Sequence, residues 1–508
     1  MEKSIYQQIC DHITDGILDE SFSLQDEDPD GAPFKLAPGA MDGVAMYHMQ
    51  HSGLDASQAK GMAKALKSAA SGNYPEAEGL FNVWTKENRA IIVIDELQKY
   101  VIDHSARLDA GNVFQTALSM MLHSTHIECV KIGMELMELF LVNDEKVREV
   151  IRRLGLYDEF TIFAVWNMQK WEDGNSEIFK LAKKVHSWGR IHAVERLEPE
   201  TNEIRHWLLT EGTVNGVVNA YSSLTCWQKA NAEEILFGQP TEEEFKGITT
   251  LIDGLLDEGP VPGISELEDA ENMILRFLEI APHYNLTDQD YDVILSIQHW
   301  ADDEDVQFPS VSAACDKILR SSSCTDTIRD AVKEGKALRL AEELEIPFRD
   351  DLLTCLEKDF DHNYSSCGYL MDSPDCVEPT LQLFRKNLPL SDMEGEPEDN
   401  LGLGEEYRSY NQLQFILQEL GSYPFMGMEF MIAGLRSPVI SNRNRVLANL
   451  KIWVQKRQMP LSELSPELYT LVRQLREKEV NGGAMEMIVP LLEGQTIFIN
   501  NDEESEDE

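Results

Sequence analysis

Basic residues are scarce in this sequence. It holds 44 lysines and arginines against 90 aspartates and glutamates, a formal net charge of −46. A surface of that sign repels phosphate backbones, so nucleic acid is not an expected partner. It disfavours anionic membrane surfaces for the same reason. It favours solubility, cations and basic protein partners. Long apolar runs are missing too. No stretch approaches the ~20 apolar residues that cross a bilayer, so no membrane span is expected. The opening residues MEKSIYQQICDHITDG have no apolar segment of the secretory kind. The eight cysteines are scattered and none form a Cys-x-x-Cys pair. Buried thiols in a reducing, cytoplasmic setting are the expectation.

Cofactor signatures are also missing. No Gly-x-Gly-x-x-Gly links a strand to a helix, and there is no phosphate-binding loop of the Gly-x-x-x-x-Gly-Lys type. His-Glu-x-x-His and Gly-x-Ser-x-Gly do not occur. No cysteine lies in the Phe- and Gly-rich setting that gives haem a thiolate ligand. Alternation of β-branched residues is rare. Thr496 to Ile499 is the one short stretch that reads as a strand.

What is present is helical grammar. Hydrophobic residues make up 43% of the chain, enough for most of it to fold. Ile5 to Ile17 reads as a short amphipathic helix. Thr125 and Glu128 have capping-box spacing ahead of a segment that is apolar almost all round, Val130 to Phe140. Ile178 to Leu209 reads as a helical hairpin feeding a third helix. Ile178, Leu181, Val185 and Trp188 share its first apolar face. Gly189 is the expected stop and Pro199 the expected start of the third helix. Helix starts are also expected at Thr241, at Ser265 with Glu268, at Thr287 with Asp290, and at Ser465-Pro466. Val446, Leu447, Leu450, Trp453 and Val454 form a core-facing stripe.

The expected fold is therefore all-α. It is an irregular α-solenoid of HEAT-like stacked helical hairpins, or two helical lobes joined near residue 395. The stretch GLRSPVISNRNRVLANLKIWVQK resembles a HEAT-type repeat. Five regions follow. Residues 1–85 hold N-terminal helices and an acidic loop, and 86–387 a helical-repeat array. Residues 388–406 form an acidic linker and 407–499 HEAT-like helices. An acidic tail, expected to be disordered, fills 500–508.

Three clusters could carry chemistry. His123, His126 and Cys129 have ligand-like spacing, but the helix start at Thr125 separates them. Glu203 and His206 form one Glu-x-x-His unit, with the reversed His192-x-x-Glu195 nearby. A di-iron bundle needs two such units and two more glutamates. Surface pairing at i, i+3 is the plainer account. Trp188, Trp207 and Trp227 could line an apolar pocket, or simply fill the core.

Two stretches carry a family resemblance: FKLAPGAMDGVAMYHM (34–49) and KKVHSWGRIHAVERLEPETNEIRHWLLTEG (183–212). They resemble a bacterial family, mostly from Firmicutes, whose members are commonly named limonene hydroxylase. The resemblance implies a monooxygenase that converts limonene, a small apolar terpene, to carveol and perillyl alcohol. It also implies NADH or NADPH as electron donor. It assigns no catalytic residue. The residues themselves point to a non-catalytic helical scaffold for a protein partner. A pocket that binds an apolar ligand without turnover is a third reading.

Overall fold

The computed structural model describes residues 3–24, 36–49, 53–259 and 261–495. The fold is an all-α helical-repeat fold, and the described chain is 70% helical. Among the described residues no helix is long and apolar enough to cross a membrane. The expected strand at 496–499 and the tail at 500–508 lie outside the described residues, as does the loop segment 25–35.

Two compact units divide the chain. The first comprises residues 1–286 and 293–318, the second 287–292 and 319–508. In the first unit, consecutive helices pair as hairpins: Ala56–Ala70 with Tyr74–Thr85, Ala110–His123 with Ile127–Met137, and Gly174–Ala182 with Ser187–Arg196. Each helix buries a stripe that it could not bury alone.

The N-terminus departs from expectation. The first helix is only Ile5–Asp11, and a two-stranded hairpin follows, Ile13–Thr14 with Ile17–Leu18. Asp15 (φ 53°) and Gly16 (φ 76°) form its tip. Asp-Gly is the dipeptide that a tight hairpin selects, because both central residues need positive φ. That signal outweighs the helical spacing around it.

The hairpin at 178–209 is also built differently. Its first helix ends at Ala182, and Ser187 takes the left-handed conformation (φ 47°). Gly189 is inside the next helix, Ser187–Arg196. A Cβ there would lie 2.4 Å from Asp158 Oδ1 and 2.7 Å from Thr161 Oγ1. The glycine serves close packing and not chain reversal. Pro199 sits in a loop, and Thr201 caps the third helix, Asn202–Trp207, which continues as a π-turn, Leu208–Gly212. The expected starts at Thr241 and Thr287 are capped as foreseen, and Ser465 caps Pro466–Arg476.

In the second unit the long helix Ile440–Arg457 buries Val446, Leu447, Leu450, Trp453 and Val454. The stretch 388–406, expected as a linker, is held against this unit. The N–H of Gly395 donates to Arg436 O (2.8 Å) and that of Ile440 to Asn400 O (2.9 Å). Its carboxylates find cations: Glu394 with Arg436 at 2.7 Å, Glu396 with Lys478 at 2.8 Å. Composition alone suggested a free linker. Backbone pairing and charge matching fix it in place.

Candidate functional site

The first unit carries an unusual charged centre on its most apolar helix. Every residue from Cys129 to Met137 is buried, including Lys131 and Glu135. The expected capping box does not form. His126 occupies the cap position, while Glu128 accepts the Ala90 N–H at 2.7 Å and also reaches Lys131. Glu128 therefore serves a neighbouring helix start and an ion pair.

Lys131 Nζ lies 2.7 Å from Asp42 Oδ2, 3.1 Å from Glu128 Oε1 and 2.5 Å from Glu159 Oε1. Asp42 comes from the helix Ala40–His48, and Glu159 from Asp158–Met168. Gly39 (φ 76°) brings its N–H to within 2.5 Å of Glu159 Oε2. Burial opposes the lysine charge, but the three carboxylates outweigh it and hold the ammonium well above its usual range. Burial pushes Asp42 up to about 6, against the pull of Lys131. Glu159 is also buried, but Lys131 and the Gly39 N–H hold it below the usual range. Glu135 has no hydrogen-bond partner on either oxygen. Burial, with Glu128 and Asp42 nearby, raises it well above its ordinary value and so favours the protonated form. Asp158, next in the chain to Glu159, is pushed by burial up to about 8.

The two stretches that carry the resemblance meet over this centre. Gly43 packs flat on Trp188, and a Cβ there would lie 2.1 Å from the indole. Trp188 joins Ala40 and Ile191 in a cluster flanked by Tyr47, Val217 and Tyr221. The Tyr47 hydroxyl donates to Glu195 Oε2 at 3.0 Å, and His48 Nε2 meets the Tyr221 hydroxyl at 2.8 Å. His192 is buried between Tyr47 and Trp188, with ring centroids 6.3 and 6.2 Å away. Neither ring nitrogen has a partner. Burial, with Arg196 adding, pushes its pKa down to about 3, so the imidazole is neutral.

The four metal candidates do not share a centre. His192 is enclosed, and Glu195 is tied to Tyr47 and Arg196. Glu203 is exposed and faces Lys183 at 3.7 Å. His206 is exposed and faces Glu243 at 3.6 Å. Among the described residues no group of three or more His, Cys, Asp or Glu side chains is arranged to hold a metal ion. The residues present thus do not fit the iron centre that a Glu-x-x-His unit suggests. His123 ends one helix, and Cys129 is buried in the next. His206 instead lines an open groove of about 880 Å³ beside the π-turn, with Arg205, Lys229 and Glu234.

The three tryptophans are core. Trp188, Trp207 and Trp227 are all buried. Trp207 packs edge-on against Phe179, and the Arg190 guanidinium lies 5.6 Å above it. The sequence reading missed Asp42, Lys131, Glu135 and Glu159. A lysine and a glutamate four apart inside an apolar helix were the available signal. No family model matches the chain, and no curated protein matches it.

Proposed function

We propose that this protein is a helical-repeat scaffold whose first unit receives a basic protein partner. One observation carries the reading. Residues 233–286 contain thirteen acidic residues against two basic ones, and eleven of the thirteen are exposed. By contrast, residues 145–206 carry eleven of each sign. A one-signed helical surface steers a partner of opposite charge and loses its grip as salt rises. The reading includes a cytoplasmic location and excludes nucleic acid as the partner.

The test uses a lysine-rich helical peptide as probe, with binding followed against ionic strength. The triple variant Glu233→Lys, Glu266→Lys, Glu268→Lys should weaken binding about tenfold. The control reverses Glu463, Glu467 and Glu486 of the second unit and should change it less than about twofold. Equal losses in both variants would mean that net charge alone binds the peptide, and the reading fails.

A second reading is oxygenation of limonene with NADH or NADPH. It is supported by the resemblance and by the packing of its two stretches on each other through Gly43 and Trp188. Insertion of oxygen into a C–H bond needs a redox group. The assay is turnover of limonene by the purified chain with either nicotinamide and added redox partners. Absence of carveol and perillyl alcohol ends that reading.

A further inference from the structure

A second cleft of the first unit runs against the charge of the chain. It lies beneath the Asp15-Gly16 hairpin tip and has a volume of about 390 Å³. Four cations line it, Arg152, Arg153, Lys180 and Lys184, against two carboxylates, Glu149 and Glu177. Its remaining lining includes the apolar side chains of Leu156, Met168 and Leu181. A cationic cleft with an apolar floor is unusual on a chain of net charge −46.

The cations divide into committed and uncommitted ones. Arg152 is neutralised by two carboxylates, Glu145 at 2.5 Å and Glu177 at 2.6 Å. Lys180 is paired with Glu177 at 2.8 Å. Arg153 gives its Nε to Glu149 at 2.7 Å and its Nη1 to Cys10 Sγ at 3.6 Å. Its second terminal nitrogen remains. Lys184 has no ion pair among those formed by the described residues, and it lies beside the hairpin tip. A Cβ on Gly16 would be 3.1 Å from its Nζ. The positive φ of the turn is what selects the glycine, and the lysine tip rests against it.

We propose that this cleft binds a small amphiphilic anion, a carboxylate on an unbranched apolar chain of roughly ten carbons. The carboxylate would sit between Lys184 and the free edge of Arg153, where charge-assisted hydrogen bonds are strongest. The chain would lie on Leu156, Met168 and Leu181. Glu149 and Glu177 keep the neighbouring cations neutralised, so the site takes a single negative charge and not a polyphosphate. This site is independent of the acidic face described above.

Cys10 provides the readout. It lines the cleft and is partly exposed, while the other seven cysteines are buried. The experiment follows alkylation of Cys10 by iodoacetamide on the full chain, with decanoate, decanol and inorganic phosphate as probes. Decanoate should slow alkylation saturably, at a concentration at least tenfold lower than decanol. Phosphate should give no protection. Lys184→Gln, an exposed position that should not disturb folding, should raise the half-protecting decanoate concentration about fivefold or more. Arg153→Gln should add to it. Equal protection by decanol, protection by phosphate, indifference to Lys184→Gln, or no protection by decanoate would each overturn the proposal.

Discussion

Each unit buries a cation, and the two sites solve the same problem differently. In the second unit Arg443 is fully shielded, and its donors are all used. Nε and Nη2 take both oxygens of Glu479 at 2.7 and 2.8 Å. Nη1 takes Ser437 O and Pro438 O, and Nη2 also takes Glu398 O. Glu479 in turn accepts the N–H groups of Val480 and Asn481. In the first unit Lys131 faces three carboxylates, and Glu135 beside them has no partner at all. Arg443 is a closed clasp that pins the acidic stretch 394–400. At the Lys131 centre three carboxylates share one buried ammonium, and burial beside them raises Glu135 well above its ordinary value, which favours its protonated form. The difference lies in side-chain chemistry. A planar fork can satisfy several acceptors at fixed angles, whereas an ammonium is a point charge.

The largest expected effect is at Lys131. Lys131→Met removes the cation that bridges Asp42, Glu128 and Glu159 and leaves the three carboxylates facing one another. Breaking a buried charge pair costs about 3–5 kcal/mol, and three stranded carboxylates put this variant at about 5. Urea unfolding measures it. A loss below about 1 kcal/mol would mean that the centre relaxes into water and is not a buried one.

Arg443→Met should cost less, about 3 kcal/mol, because Glu479 keeps two backbone donors. The double variant Arg443→Met, Glu479→Met should recover part of that loss, since no charge is then stranded. If the double variant is as unstable as the sum of the singles, the clasp is not a pair and the comparison breaks.

Gly43→Ala comes next, at about 1–3 kcal/mol, because its Cβ would overlap the Trp188 ring. Near-ultraviolet circular dichroism of the tryptophan should change with it. An unaltered spectrum and an unchanged stability would contradict the close packing of the two stretches.

How much of this was legible beforehand differs by level. The helical grammar was readable, because apolar stripes at 3.6-residue spacing mark buried faces wherever they stack. Caps at Thr241, Thr287 and Ser465 were readable, because their bonds are local. The cap at Thr125 was not, because Glu128 is claimed by the Ala90 N–H of another helix start and by Lys131 one turn further along its own helix. Gly189 and Gly43 were misread or passed over because close approach depends on a partner distant in sequence. The charged centre was invisible for the same reason. Asp42, Lys131 and Glu159 are far apart in the chain, and only packing of three helices shows that one lysine serves them all. The histidine and glutamate candidates failed because spacing along one helix says nothing about which residues face each other across helices.

The two sites should also respond oppositely to pH. Glu479 is held below its ordinary 4.5 by Arg443 and backbone N–H groups, despite burial. Its contribution is complete above that value and is lost as pH falls through the lowered pKa. Asp158, beside the Lys131 centre, is raised from 3.8 to about 8. Its contribution is complete below about 4 and is lost as pH rises toward about 8. Asp158→Asn should therefore flatten the decline of melting temperature between pH 5 and 9, with its gain confined to the alkaline side. A gain of equal size at pH 5 would show that ionisation is not the cause.

The smallest effect is expected at Glu135, and it tests the protonation argument most directly. A glutamic acid that already holds its proton is nearly isosteric with glutamine. Glu135→Gln should then change stability by no more than about 1 kcal/mol at pH 5, because neither side chain carries charge. Above the raised pKa of Glu135 the wild-type side chain must ionise without a partner, so the folded state weakens as pH rises and the variant gains relative to it. Glu135→Lys provides the contrast. It places a second cation beside Asp42, Glu128 and Glu159, whose charges exceed what Lys131 can neutralise. If the centre is short of positive charge, the lysine variant should be tolerated better than Glu135→Ala, which adds a void and no charge. If the lysine variant is the less stable of the two, the centre is already balanced, and the contrast with the closed Arg443 clasp reduces to geometry alone.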